Sequence, residues 1–191
     1  MATLGTDSVD VVLPAGVSSS DVSVTTGPDG SSDVVLSTPV SGLEIKATSG
    51  TTDISGSQLS KSTVTGSTTE GVAVTVNISD TVAKKLTVDF SASKKAADSV
   101  SFSGATTVKK GTIDLGKGND SITFGSAVKF KGTTTVDLGK GGKDVIVIEA
   151  DKIKKGTLEI TNFDKKDKII VGGETFKKGD IGDAPKYLKF D

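Results

Sequence analysis

The sequence predicts an all-β protein wound as a parallel β-solenoid, β-roll-like, with about eight rungs of roughly 22 residues and two short strands in each. Three observations predict it. Val, Ile and Leu alternate at period two with Ser, Thr, Asp and Lys, the pattern of half-buried strands. Gly is abundant at 23 residues and Pro scarce at 4, so turns are plentiful and little nucleates a helix. Neighbouring segments also resemble one another. A solenoid demands that resemblance, whereas an antiparallel β-sandwich, the competing architecture, does not.

In chain order, the N-terminal half carries the plan in blurred form. Asp7-Ser-Val9-Asp-Val11, Asp33-Val-Val35 and Glu70-Gly-Val72-Ala-Val74 fit a first strand. Val22-Ser-Val24, Leu43-Glu-Ile45 and Leu86-Thr-Val88 fit a second, and Asp53-Ile54 supplies the remaining rung with a poor fit. The C-terminal half is sharper. Its first strands read Asp98-Ser-Val100-Ser-Phe102, Asp120-Ser-Ile122-Thr-Phe124, Asp144-Val-Ile146-Val-Ile148 and Asp167-Lys-Ile169-Ile-Val171, spaced 22, 24 and 23 residues from acid to acid. Lysine-glycine turns follow at Val108-Lys-Lys-Gly111-Thr112, Phe130-Lys-Gly132-Thr133, Ile153-Lys-Lys-Gly156-Thr157 and Phe176-Lys-Lys-Gly179-Asp180. Second strands begin at Thr112-Ile113-Asp-Leu115, Thr135-Val136-Asp-Leu138 and Thr157-Leu158-Glu-Ile160. Acids 7, 33, 53, 70, 98, 120, 144 and 167 give the full register.

A unit of two short strands cannot bury its apolar face alone, so copies stack and the inward Val, Ile, Leu and Phe form ladders. At ~4.8 Å per rung, eight rungs make a rod roughly 40 Å long. The expected organisation is residues 1–97 as degenerate rungs, or alternatively a separate small β-domain, and residues 98–191 as the sharper solenoid with a terminal cap. Neither end shows a helix-like cap. The stretch Ala184-Pro185-Lys-Tyr187-Leu188-Lys-Phe190 folds back as a small plug in this reading, and otherwise the ends stay open to further rungs.

Composition narrows the chemistry. All 23 basic residues are Lys, against 24 acids, for a formal net charge of -1, and there is no Cys, His, Arg or Trp. That leaves no thiol or imidazole chemistry, no zinc site of the N/S kind, and no guanidinium fork for phosphates or guanine edges. Near-neutral charge supplies no field for nucleic acid. An enzyme is not expected. No apolar run approaches the ~20 residues that span a bilayer. Met1–Thr6 lacks the basic and apolar regions of a secretory signal peptide, so the chain is intracellular, part of something longer, or exported without a cleaved N-terminal signal.

The loops that lead into each acid are Leu115-Gly116-Lys117-Gly118-Asn119-Asp120, then Leu138-Gly139-Lys140-Gly141-Gly142-Lys143-Asp144, then Phe163-Asp164-Lys165-Lys166-Asp167. The first resembles the nonapeptide of RTX (hemolysin-type) β-rolls of bacterial surfaces. The stretch Leu158-Glu-Ile160-Thr-Asn-Phe163-Asp164-Lys-Lys-Asp167-Lys-Ile169 resembles the segment that follows such rolls. The match is degenerate and covers roughly residues 111–171. It implies Ca²⁺ held between turns, with Asp120 and Asp144 as the best ligands, Asp114 and Asp137 as neighbours, and Asp164 and Asp167 in the closing loop. The competing reading is that no cofactor binds. Lys117, Lys140, Lys143, Lys165 and Lys166 crowd these loops, each loop offers one or two carboxylates, and Ca²⁺ takes six to eight oxygens.

Three further patterns run along the chain. Asp114, Asp137 and Glu159 are expected to stack as an acidic ladder, either a solvated face or a general acid–base pair of the kind polysaccharide-active solenoids use. Thr133-Thr134-Thr135 suggests an ice-binding rank, interrupted by Asp and Lys. Lys109/Lys110, Lys131, Lys154/Lys155 and Lys177/Lys178 are expected to align on one edge, where they either protect the edge or attract a complementary stripe. Together these point to a self-assembling structural protein, a homo-oligomer or polymer, of a bacterial extracellular layer (an S-layer), matrix or filament. A cell-surface polysaccharide is a possible partner. The resemblance implies type I secretion. The alternatives are a calcium-binding RTX-like domain of a secreted adhesin or toxin, and a phage tail or receptor-binding solenoid.

Overall fold

Alternation of apolar and polar residues puts every second side chain on one side of the backbone, and in this chain the apolar side is shared from turn to turn. The computed structural model describes residues 2–150, 153 and 155–191. Its strands wind as parallel coils, and the solenoid expectation holds, with about six turns. The first turn comprises β4 (Ser32–Ser41) and β5 (Glu44–Ala47), and the second β6 (Gly50–Ser60) and β7 (Thr63–Thr65). The third holds β8 (Val74–Ser79), β9 (Val82–Lys84) and β10 (Thr87–Asp89); β11 (Lys94–Ala96) lies in the loop after it. The fourth holds β12 (Ser99–Ser103), β13 (Thr107–Lys109) and β14 (Thr112–Asp114), with β15 (Lys117–Gly118) in its loop. The fifth is β16 (Ser121–Phe124) and β17 (Lys129–Asp137), and the sixth β18 (Val145–Ile148) and β19 (Gly156–Thr161). The middle turns thus contain a third short strand beyond the two expected, because the chain breaks again at the lysine corner after β9 and β13.

Inward columns run the length of the coil. One is Val34, Ile54, Ile78, Phe102, Phe124, Ile148 and Val171, paired in register from strand to strand. A second is Ile45, Val64, Val88, Ile113, Val136, Ile160 and Phe190 on the opposite sheet. A third, Val40, Leu59, Ala83, Val108 and Phe130, fills the corner between them. Phe102 and Phe124 stack with centroids 5.3 Å apart, and Phe130 meets Phe124 edge-on at 4.9 Å. Register continues across the boundary at 97/98, where β8 pairs with β12 from Thr75↔Ser99 to Ser79↔Ser103.

The count differs from eight because the Asp7-led rung is not a rung and the Asp167-led rung is begun but not completed. β2 (Val9–Leu13) pairs antiparallel with β5, and β1 (Ala2–Gly5) pairs antiparallel with β2. β3 (Val22–Thr26) pairs antiparallel with β4. Asp7-led and Val22-led segments therefore fold over the first turn as a cap. Asp53-Ile54, the poor fit, is in register with Asp33-Val34 below and Asn77-Ile78 above. At the other end β20 (Lys168–Val171) begins a seventh turn, β21 (Glu174–Phe176) turns back antiparallel onto it, and β22 (Leu188–Phe190) seals β19. The expected plug is present as β22, which adds parallel to β19, while β21 adds antiparallel to β20; at the other end β2 and β3 add antiparallel to β5 and β4, so short added strands, not bare turns, finish both ends.

Candidate functional site

The acids that open the first strands form one column, and they face inward. Asp98, Asp120, Asp144 and Asp167 are each at most 2% exposed. Each uses Oδ1 to accept the backbone N–H one turn earlier: Val74 N–H donates to Asp98 at 2.8 Å, Asp98 to Asp120 at 2.8 Å, Asp120 to Asp144 at 2.8 Å, and Asp144 to Asp167 at 3.0 Å. The reason is local. At this corner the strand has not begun, so the N–H lacks a ladder carbonyl, and a buried N–H must find an acceptor. Burial pushes Asp120 up to about 7 and Asp144 up to about 6, helped by the neighbouring carboxylates and opposed by the N–H bonds. Oδ2 of Asp98 and of Asp120 have no hydrogen-bond partner.

Acids 7, 33, 53 and 70 do not belong to this column, contrary to the expected register. Asp33 and Asp53 sit three residues further along the turn, in line with Asn77 and Ser101 on the outer face, where Asn77 donates to Asp53 at 2.7 Å and Ser101 to Asn77 at 2.7 Å. Glu70 lies in a loop and pairs with Lys95 at 3.5 Å. The column position below Asp98 is Val74, as the register Thr75↔Ser99 requires.

Asp114 and Asp137 belong to a second column that faces outward. Asp89, Asp114 and Asp137 are register partners, and each turns its Oδ1 to the backbone N–H two residues on, at Ser91, Gly116 and Gly139. Asp114 is held above the usual carboxylate range by partial burial and by Asp137 and Asp89 above and below, against its bond from Gly116. Glu159 is not a member, which corrects the expected ladder. Thr161 takes that place, and Glu159 aligns with Thr135. Beside the acids runs a threonine column, Thr63, Thr87, Thr112 and Thr135, on the same outward side. Asp164 accepts from Lys166 N–H and donates its own N–H to Asp167 Oδ2. Among the described residues no group of three or more acidic side chains is arranged to hold a metal ion. The carboxylates named for Ca²⁺ are split between an inward column (Asp120, Asp144, Asp167), an outward one (Asp114, Asp137) and the closing loop (Asp164).

The lysine corner is longer than expected and lies earlier. Lys84, Lys109 and Lys131 are register partners. The residues that follow Ser60, Lys84 and Lys109 in this column are Lys61, Lys85 and Lys110, with φ of 46°, 50° and 55°, and they stack through Lys61 N–H to Lys84 O, Lys85 N–H to Lys109 O and Lys110 N–H to Lys131 O. Gly132 takes the equivalent place one turn on, at φ 75°. Lys177 and Lys178 are in the C-terminal cap, where Lys178 Nζ donates to Phe163 O at 2.6 Å, so they do not join this corner. Lys154 lies outside the described residues. The sequence reading missed Lys61, Lys84, Lys85 and Asp89, although Ala83-Lys-Lys-Leu86-Thr-Val88-Asp89 repeats Val108-Lys-Lys-Gly111-Thr112-Ile113-Asp114.

One shallow apolar cleft of about 530 Å³ lies beside β17, floored by Ala105, Ala127, Val128 and Phe130. No helix of the described residues is long and apolar enough to cross a membrane. Comparison with protein-family models, with curated proteins and with solved structures finds no match to the chain.

Proposed function

We propose that the chain is a non-enzymatic structural protein that associates side by side with copies of itself in an extracellular layer, matrix or filament at a bacterial surface. The observation that carries this reading is the combination of repeated flanks with covered ends. About six turns repeat at one spacing and hold outward columns in register over several of them, while short added strands cover the first and last turns. A rod of this kind offers long, regular lateral surfaces and short, blunted edges, which favours sideways over end-to-end contact. Of the two routes the sequence suggests, solenoid stacking and charge-stripe contacts, this reading favours the second. The absence of His, Cys, Arg and Trp from the chain supports a role without catalysis. The bacterial surface, and export by type I secretion, rest on the RTX-like character of residues 111–171.

Negative-stain microscopy and sedimentation of the purified chain test this. The reading expects sheets, bundles or filaments that grow with concentration. Monodisperse particles at every concentration would overturn it. Circular dichroism with and without EDTA asks whether calcium is required, since a calcium-folded roll loses its strand signal on chelation.

A further inference from the structure

We propose that the lysine corner of one copy seats against the threonine–aspartate column of a second copy, turn against turn. The proposal rests on lateral association and names its interface. Lys84, Lys109 and Lys131 stand in one column, with Lys61, Lys85 and Lys110 beside them. All except Lys109 are exposed, and Lys109 is half-exposed. Among the described residues the one ion pair is Lys95 with Glu70, so all six ammonium groups lack a carboxylate within ion-pair distance. Stacked at the turn spacing of ~4.8 Å, these like charges repel one another along the column.

The acidic column has the complementary problem. Asp89, Asp114 and Asp137 stand in register on the same three turns that carry Lys84, Lys109 and Lys131. Their carboxylates are half-buried and raise one another's proton affinity at Asp114. Thr87, Thr112 and Thr135 alongside offer hydroxyls at the same pitch. Both stripes repeat at the spacing of the turns, because both are set by the same backbone ladder. When two rods lie parallel, one lysine meeting one aspartate brings the other two pairs into line. A flexible polyanion has no such built-in match, and the neighbouring acidic column repels it; the occupant is therefore a second copy.

The backbone gives a second argument. Lys61, Lys85 and Lys110 occupy the left-handed region, which is unfavourable for a side-chain-bearing residue and open to glycine. Gly132 shows that the same corner closes with glycine. The charge at these positions is not required by the fold. Because the two stripes are different surfaces, the contact is heterologous, and it propagates into an open array or closes into a ring according to the angle between them.

The test is sedimentation velocity on the full chain and two triple variants, Lys84→Glu/Lys109→Glu/Lys131→Glu and Asp89→Lys/Asp114→Lys/Asp137→Lys. Each alone should associate at least about tenfold more weakly than the parent chain at low salt, and an equimolar mixture should recover association. Reversing Lys94, Lys117 and Lys140, which lie on the other loops, controls for net charge and should leave association unchanged. If Asp→Lys disturbs the turns by circular dichroism, Asp→Asn keeps the acceptor for the local N–H and serves in its place. Lys85→Gly/Lys110→Gly should hold or raise the melting temperature while weakening association. Parent-chain association that ignores both triple variants would overturn this interface and leave the lateral-layer reading standing. A closed ring that requires both stripes would keep the interface and remove the layer. A chain that stays monomeric but binds dextran sulfate through the lysines would overturn both.

Discussion

Asp120 is a carboxylate doing a backbone carbonyl's work. It accepts Asp98 N–H at a corner where no ladder partner exists, and burial raises it to about 7, with Asp144 at about 6. Raised values mean the folded state holds its protons more tightly than the unfolded chain, whose ordinary value is 3.8. The corresponding stability is complete below about pH 4 and is lost as pH rises through roughly 6 to 7. Urea unfolding should therefore give a fold weaker at about pH 8 than at about pH 5, by something on the order of 2 kcal/mol. Asp120→Asn keeps the acceptor and should flatten much of that slope; an unchanged slope would remove Asp120 as its source. Glycine positions are equally local. A Cβ on Gly139, at φ 75°, would lie 1.5 Å from Gly116 O. Gly139→Ala should cost about 2–4 kcal/mol in a denaturant titration. The acids and glycines were visible in sequence as a repeat. What they face was not, because period-two patterning describes side chains against the core and is silent on bonds from a side chain to the next turn's backbone.

At the scale of strands, the inward columns make each turn the other turns' core. Phe124 is fully buried between Phe102 and Phe130. Phe124→Ala should lower stability by about 3–5 kcal/mol, measured by thermal or denaturant unfolding, since stacked neighbours cannot collapse into the gap without leaving register. The strands from Ser99 to Val171 were legible because their sequences align one on another. Asp53-Ile54 fits poorly in sequence because its neighbours are Ser, Gly and Thr, yet its register partners bury Ile54. Asp7–Val11 and Val22–Val24 read as rungs from the sequence because alternation is the same in a parallel and an antiparallel strand. Direction depends on chain reversal at residues 14–21 and 27–31, where Pro14, Gly16, Pro28 and Gly30 mark turns without specifying what the strands pair with.

For the whole molecule, the coil fixes both the spacing of every outward column and the concealment of its ends. Glu159 and Lys177/Lys178 illustrate what sequence alignment alone cannot place, since a shift of two residues or one antiparallel turn moves a charge from one column to another or off the rod. The proposed interface depends on that placement, since a shifted residue leaves the stripe. The most direct measurement of that stacking uses the absence of native cysteine. Thr51, Thr75, Ser99, Ser121, Val145 and Lys168 form one outward column of five steps. Nitroxide labels at Thr51→Cys/Ser121→Cys and Thr51→Cys/Lys168→Cys, in spin-diluted samples, should report narrow distances separated by three and five steps of ~4.8 Å, roughly 14 and 24 Å between backbones. Distances that fail to grow with the number of turns, or that are broad at both pairs, would contradict the coil and every column built on it.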